Sequence, residues 1–141
     1  MPEREHVLRV AHGWVEKAEN DLKNAANTAK MGEDCPTDTV CFHAEQCVEK
    51  YPKAFLASRG TDFPKTHDIE ELVARMPRTI RASLSDEQQR RLTAYATTTR
   101  YPGDYEPIPI AEARASIALA RRLRREVRKL LPTSVVRAER R

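Results

Sequence analysis

The sequence predicts an all-α protein, an up-and-down antiparallel bundle of four long helices plus one short helix, on three observations. Apolar residues recur every three or four positions, alternating strand patterns are missing, and Pro, Gly and capping residues punctuate the periodic stretches. Composition agrees: among 141 residues, 40% are hydrophobic and 33% charged, with only four Gly and three Phe, which suits solvent-faced helices better than a β-sandwich or barrel. The length fits one domain that buries a core without disulfides or metals. We expect that domain over residues 1–131, followed by a basic, frayed tail over 132–141.

The first helix is expected from residue 4 to 30, on the stripe Val7, Ala11, Trp14, Ala18, Leu22, Ala25 and Ala29, with Gly32 supplying a left-handed stop. Thr37 or Asp38 is positioned to cap a second helix with the stripe Val40, Ala44, Val48, Tyr51 and Phe55, ending near Gly60. Pro52 lies inside it and predicts a kink or break near residues 48–52, because it removes a backbone donor and crowds the preceding turn.

Asp68 and Glu71 read as a capping box for a short helix over 69–75, closed by Pro77. Ser85 and Gln88 repeat that signature for a helix running to about Thr99. Tyr101-Pro102-Gly103-Asp104 suits a type II turn with Gly103 at positive φ. The last helix begins near Ile110, carries Ala113, Ile117, Ala120, Leu123, Val127 and Leu130, and stops at Pro132.

Net charge is +4, but residues 111–141 hold ten Lys and Arg against three Glu, so the remainder is net acidic. Arg121, Arg122, Arg124, Arg125, Arg128 and Lys129 cover a sector of about 160° opposite the apolar stripe of the last helix. Such a face is either solvated or holds phosphates or an acidic partner. No run approaches the roughly 20 apolar residues that span a bilayer, and the first residues lack the apolar core of a signal peptide, so a cytoplasmic protein is expected. Cys35, Cys41 and Cys47, spaced by six, match neither a zinc knuckle nor a redox pair and read as reduced structural thiols.

Two stretches carry a resemblance. They are Phe42-His43-Ala44-Glu45-Gln46-Cys47-Val48-Glu49-Lys50, and the segment from Gly60 to Leu72 containing Phe63-Pro64-Lys65-Thr66-His67-Asp68. With Asp21-Leu22 on the first helix and Thr99-Arg100-Tyr101-Pro102-Gly103 before the last, they span roughly residues 14–131, and the chain resembles the HEPN (higher-eukaryote and prokaryote nucleotide-binding) domain family. The resemblance implies a helical bundle that commonly dimerises, is often encoded beside a minimal nucleotidyltransferase, and includes nucleotide-binding and RNA-cleaving members. Tyr51-Pro52 departs from the small or aliphatic helix formers usual there. RNA-cleaving members use an Arg followed after four to six residues by a His near their last helices; this chain has no such pair, and no His follows His67.

His43, Gln46, Lys50 and Lys53 share a sector of about 80° beside the apolar stripe of the second helix. They form either a packing rim or a pocket in which Lys50 and Lys53 bind phosphate beside His43. Lys65 and His67 are candidates for a basic entrance to it; Arg100 offers a planar fork for phosphate and Tyr101 a ring for stacking. His67 and Asp68 as an acid–base pair is the weaker reading, since Asp68 serves as a cap. For catalysis only His43 and Arg100 stand out, and no metal motif or cofactor loop is present.

The favoured function is therefore a homodimeric binding module for a nucleotide or a minimal nucleotidyltransferase partner, with a toxin–antitoxin pair as one setting. The alternatives are a divergent ribonuclease toxin acting on RNA, with His43 and Arg100 brought together, and a structural adaptor working through the Arg-rich last helix.

Overall fold

The computed structural model describes residues 3–100, 102–103 and 106–137, with Arg100 described in its backbone alone. Among them are seven α-helices and no strand: α1 Arg4–Ala29, α2 Thr37–Ser58, α3 Ile69–Ala74, α4 Arg78–Arg81, α5 Asp86–Ala96, α6 Ile110–Arg128 and α7 Thr133–Val136. Single 3-10 turns lie at Gly32–Asp34 and Thr98–Arg100. The four longer helices are those expected, and three short helices take the place of one.

Pairwise contacts fix the directions. Arg4 reaches the Ser58 carbonyl at 3.3 Å while Asp21 meets His43 and Lys50, so α1 and α2 run antiparallel. Ser116 lies beside Cys41 and Arg128 beside Tyr51, so α6 runs with α2. Tyr95, near the end of α5, bonds Glu112 at the start of α6, so α5 turns back against α6. The result is an up-down-up-down bundle in which α2 packs on α1, α5 and α6.

Small residues let these helices approach. Ala11, Ala18 and Ala25 on α1, Ala44, Cys47 and Ala54 on α2, and Ala113 and Ala120 on α6 are fully excluded from solvent. Between them Val40, Val48, Tyr51, Leu92, Leu123 and Val127 fill the interior, each large aliphatic side chain contributing about 1.5–3 kcal/mol by leaving water. The expected α2 stripe is buried throughout. On α1 the stripe is rotated: Val15 and Asp21 are buried, whereas Trp14 and Leu22 sit half-exposed at its edge. All three cysteines are buried free thiols.

Several local expectations need correction. α2 runs unbroken through Pro52, whose ring is buried. Its cap is Pro36, whose carbonyl accepts from Thr39 and Val40; neither Thr37 nor Asp38 caps by side chain. Asp68 accepts from the amides of Glu70 and Glu71 as expected, but Thr66 Oγ1, not Glu71, takes the Asp68 amide. The Ser85/Gln88 box is complete. Positive φ occurs at Gly32 (70°) and Gly60 (66°), the two expected helix stops, while the turn expected over residues 101–104 includes Tyr101 and Asp104, which lie outside the described residues.

The reading of residues 132–141 as frayed fails for their first part. Thr133–Val136 is helical, Val135 is fully buried, and its carbonyl accepts from His12 Nδ1 at 2.8 Å. The apolar pair Val135-Val136, set after a proline that starts the turn, is what docks it on α1. Residues 138–141 lie outside the described ones. No helix is long and apolar enough to cross a membrane among the described residues.

Candidate functional site

The polar rim of α2 is organised around carboxylates. Asp21, nearly buried on α1, receives His43 Nδ1 at 2.8 Å and Lys50 Nζ at 2.5 Å on its two oxygens. The helical spacing of seven residues puts His43 and Lys50 on one face, two turns apart, and the small side chains below them let α1 come close enough for one carboxylate to serve both. This contact fixes Nδ1 of His43 as the protonated nitrogen and leaves Nε2 without a bond.

A second cluster lies one turn along. Gln46 donates from its single amide nitrogen to Glu45 Oε1 and Glu49 Oε2, both at 2.8 Å. Glu49 also receives Lys53 Nζ at 3.3 Å and His67 Nδ1 at 3.1 Å. Lys53 continues to the Thr66 carbonyl at 3.4 Å and lies 5.4 Å from the Trp14 ring centre, while Trp14 meets Phe63 edge-on. The loop over residues 59–68 is thereby tied to both long helices.

Glu45 is entirely buried, and its Oε2 has no hydrogen-bond partner. Burial, reinforced by the adjacent Glu49 carboxylate, pushes its acid up to about 11, so it stays protonated at neutral pH. The apolar stripe expected on α2 does not include Glu45, and a carboxylate gives no apolar signal, yet the residue is core.

Lys50 and Lys53, expected to bind phosphate, thus each face a carboxylate. Lys65 and His67 line a different space, a cleft of about 510 Å³ between the 65–68 loop and α5, completed by Asp68, Glu70, Arg90, Thr93 and Thr97. Lys65 and Arg90 make no hydrogen bond or ion pair there. Arg90 was not singled out in the sequence; its only signal was a polar position on α5 facing away from Leu92. Thr93 Oγ1 accepts the Ile69 amide at 3.0 Å and so fixes α3 against α5 beneath the cleft. Arg100 closes the 3-10 turn that follows α5, but its side chain, and Tyr101 altogether, lie outside the described residues.

On α6 the arginines divide into two groups. Glu19 of α1 accepts two parallel bonds from Arg124 at 2.8 Å and one from Tyr51 at 2.7 Å, with Arg128 at 3.7 Å. Burial would raise the Glu19 acid, but the bonds from Arg124 and Tyr51 and the two guanidinium charges outweigh it and hold the group below its ordinary range. Arg121 and Arg125 make no such pair and remain exposed. The basic face foreseen on α6 is therefore partly a structural clamp. No group of three or more His, Cys, Asp or Glu is arranged to hold a metal among the described residues.

Comparison with known proteins bears on the whole fold. A profile of the HEPN domain matches residues 11–130. Among solved structures, TT1696 from Thermus thermophilus superposes with a TM-score of 0.69 at 26% identity, covering 86% of this chain and 98% of that one. ST0689, described as an archaeal HEPN homologue, gives 0.65 at 26% identity, covering 84% and 95%. No curated protein sequence matches significantly. With a profile spanning most of the chain and the bundle to go with it, this protein belongs to the HEPN domain family.

Proposed function

We propose that the chain is a binding module that recognises a nucleotide at the cleft between the 65–68 loop and α5. The carrying observation is that Lys65 and Arg90 face this cleft without carboxylate partners, whereas Lys50 and Lys53 already hold Asp21 and Glu49. An ammonium and a planar guanidinium suit a phosphate, and Glu70 and Thr97 on the same walls suit the hydroxyls of a sugar. Family membership and the missing Arg-then-His pair favour recognition over cleavage. A homodimer is the proposed form, and a minimal nucleotidyltransferase, within a toxin–antitoxin pair, the proposed partner; both rest on the family resemblance.

Calorimetric titration with ATP, GTP and their monophosphates tests this. Binding that weakens about tenfold in Lys65→Ala and in Arg90→Ala supports the cleft. Flat titrations with every nucleotide sink the reading.

One observation favours a second reading, a divergent ribonuclease. His43 is oriented by Asp21 with Nε2 unbonded, as a general base requires. Growth arrest on expression, relieved by His43→Ala and by Arg100→Ala, is its expected signature; harmless expression with intact RNA removes it.

A further inference from the structure

A second groove runs between α1 and α6 and shares no lining residue with the polar rim or the cleft beside α5. It encloses about 400 Å³, its floor is Leu22 and Ala26, and its rim carries Lys23, Arg121 and Arg125. At one end the groove is closed by the Glu19–Arg124 pair. The three rim cations are exposed and make no hydrogen bond or ion pair.

The arrangement is unusual for a solvated helix face. Leu22 and Ala26 lie one turn apart on α1 and remain half-exposed, so an aliphatic strip survives in the middle of a cationic frame. Arg121 and Arg125 lie one turn apart on α6, about 6 Å along its axis. That step matches carboxylates one turn apart on a helix, or two residues apart on an extended strand at about 6.6 Å. Glu19 adds no free negative charge, because Arg124, Arg128 and Tyr51 already enclose it. A ligand that enters here therefore meets positive charge at the rim and hydrocarbon at the base.

We propose that this groove docks an acidic segment of a partner protein, one in which an aliphatic side chain lies between Asp or Glu residues. The aliphatic residue seats on Leu22 and Ala26 while the carboxylates pair with Arg121, Arg125 and Lys23. A single-stranded nucleic acid fits less well. It would supply phosphates for the cations, but none of the groove's lining residues is aromatic, so bases find no stacking platform and the apolar floor goes unused. The proposal is independent of the nucleotide cleft, which is built from other residues.

Fluorescence anisotropy decides it, with a labelled eight-residue peptide of Glu and Leu in the order Glu-Leu-Glu-Glu-Leu-Glu-Glu-Leu, its counterpart with every Leu replaced by Ser, and octauridylate. The expected result is binding of the Glu/Leu peptide, weakening with added salt. It should weaken at least about tenfold on Leu-to-Ser replacement of the peptide and in the Arg121→Glu/Arg125→Glu double variant. Unchanged melting temperature of that variant shows that the bundle is intact, and Leu22→Ser, which keeps every cation, should weaken the peptide as well. The proposal is overturned if no peptide binds at millimolar concentration, if charge reversal leaves binding unchanged, or if octauridylate binds more tightly than the Glu/Leu peptide. It is equally overturned if the double variant instead changes the oligomeric state of the chain while peptide binding is untouched, which would make the groove a contact between copies.

Discussion

Glu19 and Arg124 are 105 residues apart in sequence and form a two-bond ion pair, both bonds at 2.8 Å, that ties α1 to α6. Tyr51 of α2 donates to the same carboxylate, so three of the four longer helices meet at one residue. Glu19→Gln should lower stability by about 1–3 kcal/mol, because a partly buried guanidinium loses its charged acceptor. The Glu19 acid is held below its ordinary value, so its stabilisation is complete above about pH 4.5 and disappears as pH falls through the lower folded-state value. Thermal melts of both proteins between pH 3 and 7 should converge at the acid end, and parallel curves would refute the role assigned to Glu19.

Glu45 carries the opposite sign. Its acid is raised to about 11 from an ordinary 4.5, so its effect on stability is most favourable below pH 4.5 and declines as pH rises toward the folded value. Glu45→Gln keeps the shape while removing the ionisation. The variant should match or exceed the wild type at pH 8, with the difference in melting temperature growing from pH 5 to 9. Glu45→Ala, which empties the space, should cost about 1–3 kcal/mol near pH 5, and that cost should shrink toward pH 9 as the wild type itself loses stability.

Lys50 and Lys65 separate structure from binding. Lys50→Met deprives buried Asp21 of one of its two hydrogen-bond donors, the charged one, and should cost about 1–2 kcal/mol in a denaturant melt. Lys65→Ala removes an exposed side chain with no bond, and its stability should stay within about 0.5 kcal/mol of wild type. Equal destabilisation by the two would contradict the division between packing rim and open cleft.

At Pro52 two effects oppose each other. Proline inside a helix costs about 3 kcal/mol relative to alanine through the lost bond to the carbonyl four residues back, here Val48. Its ring is buried, and shrinking it to alanine forfeits about two methylene groups, roughly 1.6 kcal/mol. The helix term is larger, so Pro52→Ala should stabilise the protein by about 1 kcal/mol. The new amide should also be protected from hydrogen exchange; a destabilised variant would mean that the ring's packing outweighs the backbone bond.

The bundle was legible because its causes are local. Gly32 and Gly60, the Ser85/Gln88 box and the three-or-four spacing each act within one or two turns, and each appears where expected. What failed depended on neighbours far along the chain. Val135 reads as part of a charged tail until α1 offers it a surface, and Glu45 lies outside the expected apolar stripe although α2, packed on three helices, buries it. The candidate site divided in the same way. His43, Lys50 and Lys53 were found on one face from spacing alone, but spacing carries no information about Asp21 or Glu49 as their partners, nor about Arg90 across the cleft.

The contact between His12 and the Val135 carbonyl spans 123 residues, whereas α1 and α2 are joined by a seven-residue connection. Loop-closure entropy then orders assembly: the α1–α2 hairpin forms early, and α7 seals onto α1 once the rest of the bundle has brought its ends together. Contacts that form after the rate-limiting step slow unfolding without changing the speed of folding. Substitutions at Val135 should therefore shorten the lifetime of the folded protein while leaving its refolding rate almost untouched, so that this single turn of helix acts as a latch on persistence.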